Sequence, residues 1–175
     1  GANSPAIFLN GAGIYDFSEK KMLSYTHFDK NQEDVLISLI RKYHLCAVVY
    51  EPEMLHIVGY FNILGIMTFT ADKLSRKFYK NIDSVPRGNW GKVGFFGVKS
   101  QVRKLCSELD EYSELFEYFP ALVTEVAPKG VNKGAAVLQL ASILGIDKSN
   151  TAAIGDNTND KSMLSAVSHP GFCGS

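Results

Sequence analysis

The sequence predicts an α/β protein, and three observations carry that prediction. Between Val131 and Val167 a helical period, a short apolar run and a second helical period follow one another with short links, which is the grammar of a parallel α/β sheet. Earlier in the chain, β-branched runs at 46–50 and 55–60 follow a segment whose apolar residues recur every three or four positions, the mark of strands beside an amphipathic helix. Finally, 46% of the 175 residues are hydrophobic and 21% are charged, enough for one or two compact domains with a real core.

Taken in order, residues 6–9 are an apolar run closed by Asn10-Gly11, a strand meeting a turn, and 13–17 return as the second arm of a hairpin. A charged and polar stretch fills 18–30. From Asp29 the period becomes helical, with Leu36, Leu39, Ile40 and Tyr43 on one face. The runs 46–50 and 55–60 flank the turn Glu51-Pro52-Glu53 and read as a hairpin packed under that helix. Residues 61–69 are apolar without a firm period, and 71–79 read as a short helix. A loop at 86–89 precedes a strand at 92–98. Ser100 then caps a helix whose apolar face runs through Val102, Leu105, Cys106, Leu109, Tyr112 and Phe116. The acidic residues between them form a solvated face. Pro120 ends that helix, and 121–126 is another strand.

After Pro128 the pattern becomes strict. Val137, Leu140, Ala141 and Leu144 line one face of a helix that opens near Lys133, and Gly145 falls where a left-handed C-cap residue belongs. A strand at 151–154 leads into the turn Gly155-Asp156, and a helix carrying Met163, Leu164 and Val167 follows. There is no internal repeat and no low-complexity segment.

Composition excludes several functions. The formal net charge is zero, which argues against nucleic acid or an anionic membrane as the main partner, since both require a basic surface. Cys46, Cys106 and Cys173 are scattered and show no metal-ligand spacing, so they read as reduced thiols of a cytoplasmic protein. No apolar run approaches ~18 residues, and neither a signal peptide nor a glycosylation acceptor is present. The chain opens on Gly1 rather than methionine, and a start further upstream is expected.

The chemistry concentrates near the C-terminal end. Lys133 opens a helix, and the strand after that helix ends in Gly155-Asp156-Asn157-Thr158-Asn159-Asp160. In a parallel sheet, ligands gather at the C-terminal ends of strands, so a cation and two carboxylates arrive at one edge. That is an arrangement for phosphate and metal. The Asp-x-Thr-x-Asp spacing does not make a calcium loop, because the glycine and glutamate such a loop requires are Lys161 and Val167 here. Asn10-Gly11-Ala12-Gly13 by itself is explained by a hairpin turn.

In combination, these stretches resemble the haloacid dehalogenase (HAD) superfamily, and within it the Cof-type, subclass IIB, sugar-phosphate phosphatases. Gly130-Val131-Asn132-Lys133-Gly134 is similar to the family's third motif. The run 155–160, with Met163-Leu164, is similar to the fourth. The segment from Phe8 to Asp16 resembles the one leading into the family's cap. The resemblance implies a partial Rossmannoid core with a large α/β cap, an open-faced sheet with helices on one side. The boundaries it implies are core strand and hairpin at 1–17, cap at 18–126 and core again at 127–175.

It further implies a Mg²⁺-dependent phosphoric monoester hydrolase working through an aspartyl-phosphate. Asp156 and Asp160 would serve the metal, Asp160 through a bound water or by holding the lysine. Lys133 would neutralise the transferring phosphoryl group, and Asn10 and Asn159 would contact phosphate or brace its loops. Substrate choice would lie in the cap, where Arg87, Asn89, Trp90 and Lys92 form the first loop of interest. The implied partner is a small phosphorylated metabolite, with a homodimer kept open as an assembly.

One departure is large. The family's Asp-x-Asp-Gly-Thr string, which carries the nucleophile, does not occur in this sequence, and neither does a residue matching the second motif before Asn10. The chain therefore reads as a fragment that is inactive alone and ends before a further core strand. Two other functions remain open at this point, a non-catalytic HAD-like binding or regulatory module and a HAD phosphomutase.

Overall fold

The computed structural model describes residues 3–59, 75–121 and 123–173. The chain divides into two compact units, Gly1–Thr26 with Gly130–Ser175 and His27–Lys129.

In the first unit, β1 (Pro5–Phe8), β2 (Gly13–Asp16) and β3 (Lys21–Tyr25) form an antiparallel sheet in that order. The polar stretch after Phe17 therefore contains a strand. Because β3 pairs with β2, the division falls after Thr26, not at 17/18. Between β1 and β2 the chain turns through a single 3₁₀ turn, Leu9–Gly11, in which Leu9, Asn10 and Gly11 all have positive φ (49°, 57° and 108°). Only the glycine adopts such a backbone without penalty; Leu9 and Asn10 each carry a cost of order 1 kcal/mol. A Cβ at Gly11 would also lie 2.4 Å from the Asn132 carbonyl oxygen.

The rest of this unit is α3 (Lys133–Ile143), β10 (Ala152–Gly155), α4 (Lys161–Ala166) and β11 (His169–Phe172), with β10 and β11 parallel. Asn132 caps α3, accepting from the Ala135 amide at 2.9 Å, and Gly145 takes the expected left-handed conformation (φ 66°) just beyond its end. A further strand after the fourth motif is thus present in these residues. Among the described residues β1 and β10 lie in separate sheets, and Ile154 and Phe172 are 71% and 74% exposed.

The second unit holds β4 (Cys46–Tyr50), β5 (Met54–Val58), β6 (Ser75–Tyr79), β7 (Lys92–Phe96), β8 (Phe116–Phe119) and β9 (Thr124–Pro128) in one sheet of order β6-β5-β4-β7-β9-β8. All neighbours are antiparallel except β5 and β6. Helices α1 (Lys30–Tyr43) and α2 (Lys99–Glu111) contribute Leu36, Leu39, Ile40, Leu105 and Leu109 to one core with Ala47, Val49, Val93, Phe95 and Val126. Val49 opposes Val93, and Val93 opposes Val126, so these strand residues share the helix-facing side. Val48, Leu55 and Ile57 on the other side are buried too. That is why β4 and β5 read as continuous apolar runs rather than alternating ones.

Asp29 starts α1 with a reciprocal cap. Its carboxylate accepts from the Gln32 amide, and the Gln32 side chain accepts from the Asp29 amide, both at 2.8 Å.

Three local expectations are corrected here. Ser75–Tyr79 is a strand, not the end of a helix, because it pairs with β5 along its whole length; residues 60–74 lie outside the description. Helix α2 stops at Glu111, and Phe116–Phe119 is β8, so the helical spacing of Phe116 was coincidental. Ser100 does not cap α2: Val98 is the N-cap, and its amide donates to the Gln101 side chain at 3.0 Å. Among the described residues, Cys46, Cys106 and Cys173 form no disulfide, and no helix is long and apolar enough to cross a membrane.

Candidate active site

The first unit brings its sequence-marked residues together. Lys133 is the first residue of α3, and its Nζ lies 2.5 Å from Asp160 Oδ1. The other oxygen of Asp160 accepts from the backbone amides of Asp156 (3.2 Å) and Asn157 (3.1 Å). Asp160 is only 6% exposed, and burial without those donors would disfavour its charge. The hydrogen bond from the Lys133 ammonium instead holds its carboxyl below the ordinary carboxylate range, with the two backbone amides helping.

Of the two roles expected of Asp160, the structure shows the contact with the lysine. The turn and the lysine engage both of its oxygens, so it acts as an internal brace and counter-ion. The carboxylate of Asp156 is exposed and makes no hydrogen bond or ion pair with a described residue. Asn159 is half-buried, and its Oδ1 is a buried acceptor with no partner among the described residues.

Asn10 and Lys133 both line a cavity of about 370 Å³, with Ile7, Phe8, Leu9, Val137 and Met163 supplying apolar walls. Lys133 is the charged residue of that lining, and Asp160 pairs with its ammonium. The left-handed backbone at Leu9 and Asn10 places Asn10 on that wall; such outliers collect at binding sites. Nothing in the amino-acid pattern marked that strain.

Mg²⁺ takes oxygen ligands and keeps several waters. Asp156 suits it, being a free carboxylate at the C-terminal end of a parallel strand. Among the described residues no three His, Cys, Asp or Glu side chains gather into a metal cluster. The residues here therefore fit a minor share of a Mg²⁺ shell, through Asp156.

The residues marked for the substrate loop lie in the second unit, where they have partners of their own. Trp90 is fully buried, and its Nε1 donates to the Pro86 carbonyl at 2.5 Å, so it is a core residue. Arg87 donates through Nε to Glu33 (2.9 Å) and pairs with Asp34 (2.8 Å). Glu33, 2% exposed, also accepts from the Gly88 amide. Lys92 is buried against Glu125 at 2.6 Å and lies over the Tyr50 ring. Asn89 has partners of its own. The loop is a knot on the start of α1, because a buried carboxylate requires donors. One contributor went unmarked in the sequence. Ser162 sets, with Gly134 of the third motif, the approach of α3 to α4, and no motif signals a helical serine in that role.

Comparison with known proteins agrees with this geometry. The family model described as haloacid dehalogenase-like hydrolase matches residues 1–171. An HMP-PP phosphatase of Klebsiella pneumoniae is 36% identical over 86 residues, covering 47% of this chain and 32% of that protein. The chain spans only 17% and 32% of two curated relatives that it matches. Among solved structures, a haloacid dehalogenase-like hydrolase from B. subtilis superposes with a TM-score of 0.83 at 19% identity, over 98% of this chain and 69% of that one. A HAD subclass IIB sugar phosphatase does so with a TM-score of 0.77 at 15% identity, over 97% and 64%. At such identities these two show the fold. With the family model spanning nearly the whole sequence, the chain belongs to the haloacid dehalogenase-like hydrolase family.

Proposed function

We propose that the chain is part of a Mg²⁺-dependent phosphatase acting on small phosphorylated metabolites, sugar phosphates first among them. The observation that carries this is the Lys133 ammonium, braced 2.5 Å from buried Asp160 on the wall of a cavity that Asn10 shares. A cation already fixed in place stabilises charge on phosphate oxygens without reorganising during reaction. Asp160 holds the ammonium in place, and Asn10 lines the same cavity. Asp156 is the chain's own ligand for Mg²⁺, which when bound would offset negative charge on the phosphoryl group.

The substrate class draws support from the relatives, one named for HMP-PP and one for sugar phosphates. The attacking carboxylate is assigned to an aspartate of the parent protein, since the family's nucleophile string is not among these 175 residues. Its oxygen bonds to phosphorus as the alcohol leaves, and water then releases phosphate from the aspartyl ester.

The test measures phosphate release from p-nitrophenyl phosphate and a sugar-phosphate panel. The parent protein with Mg²⁺ is expected to turn over, Lys133→Ala to lose about 10²-fold or more, and residues 1–175 alone to be inactive. A parent that binds phosphate esters without hydrolysing any would leave the non-catalytic module instead.

A further inference from the structure

We infer that Ser162 is a positioning residue that aims Lys133, by clamping the first turn of α3 onto the first turn of α4. The inference rests on the reading of Lys133 given above. It concerns a residue that lies outside the lysine and aspartate motif itself.

The first amides of a helix have no partner inside it. In α3, Asn132 accepts from the Ala135 amide. The Gly134 amide has a different partner: it donates to Ser162 Oγ at 3.2 Å. Ser162 therefore completes the N-terminal cap of α3 from a different helix. The same residue makes a second contact. A Cβ built on Gly134 would lie 2.2 Å from the Ser162 carbonyl oxygen and 2.5 Å from its carbon. Both are backbone atoms that cannot swing aside, so the two turns approach as closely as a bare glycine allows.

Lys133 directly precedes Gly134, and Asp160 lies two residues before Ser162. The 2.5 Å ion pair and the Gly134–Ser162 clamp are thus neighbouring rungs across one seam between α3 and α4. The ammonium sits on a long flexible stem, which an ion pair alone orients poorly when partly exposed. The clamp fixes where the stem begins. Loss of the hydroxyl leaves the Gly134 amide without its acceptor and frees the seam to open. A shift of about 1 Å at a charge-stabilising group costs up to about 10²-fold in rate.

The test has two arms. The first, on this chain, follows the Lys133 ammonium by ¹H–¹⁵N correlation. In the unaltered protein its protons are expected to exchange slowly, held by Asp160. Ser162→Ala is expected to lose that signal, Ser162→Thr to retain it, and Asp160→Asn to lose it as the reference for a broken pair. Backbone spectra of β10 and β11 serve as the control for folding in each variant. The second arm measures the parent's turnover, where Ser162→Ala is expected to lower kcat about tenfold with KM little changed, and Ser162→Thr to restore it. A Lys133 signal unchanged in Ser162→Ala, or absent from the unaltered chain, overturns the inference. If the parent hydrolyses no ester while the first arm behaves as expected, the phosphatase reading fails and the clamp stands.

Discussion

Among the described residues two carboxylates are buried, and each is held by a different set of donors. Asp160 is bound by Lys133 and two backbone amides, which lower its pKa in the folded state. A depressed carboxyl contributes stability that is present above its unfolded pKa, about 3.9, and is lost as pH falls through the folded value. The stability gap between the unaltered chain and Asp160→Asn should therefore be constant from about pH 7 to pH 5 and close below about pH 4, as read by urea unfolding across that range. A gap that persists in acid would mean that the pair contributes nothing through charge. Glu33 is the other case. Arg87→Ala removes its charged partner and leaves only the Gly88 amide, so unfolding free energy should drop by about 2 kcal/mol. A loss below half that, with substrate affinity impaired in the parent, would return Arg87 to the substrate loop.

At the scale of elements, α1 and α3 begin where the helical period begins, and the structure caps them with Asp29 and Asn132, whereas the cap expected at Ser100 falls at Val98; a cap is a contact over three residues. Asp29→Ala should cost about 1 kcal/mol in equilibrium unfolding of the second unit while leaving its near-ultraviolet spectrum unchanged. Strands were harder to read. Residues 75–79 and 116–119 fall within stretches that read as helical and become β6 and β8 by pairing with β5 and β9. A strand's ladder partners supply half of what makes it a strand.

At the scale of the whole molecule, the two units differ in how well each covers its own apolar surface. The large core of the second unit runs from Phe28 to Val126 without a residue from outside 27–129. In the first, Ile154 and Phe172 on the small β10–β11 sheet stay exposed. Native-state hydrogen exchange should therefore find the amides of β4, β7 and β9 slower than those of β10, since protection follows buried apolar contacts. Equal or slower exchange in β10 would show that the first unit is the more stable one.

By itself the sequence determined the α/β class, the order of the late helix–strand–helix segment, the lysine that opens α3 and the place of Asp156 at the end of a strand. All of these are written in short windows, through helical period, caps and a motif six residues long, where neighbouring residues settle the physics. The tertiary structure decided what Asp160 does, since its role depends on a lysine 27 positions away. It also decided that Trp90 is buried and that Arg87 is ion-paired. A tryptophan beside a glycine-bearing loop looks exposed until the Pro86 carbonyl satisfies its N–H inside the core, and an arginine looks available until a buried glutamate 54 positions earlier claims it. Burial is set by segments distant in the chain coming together, so no local pattern contains it.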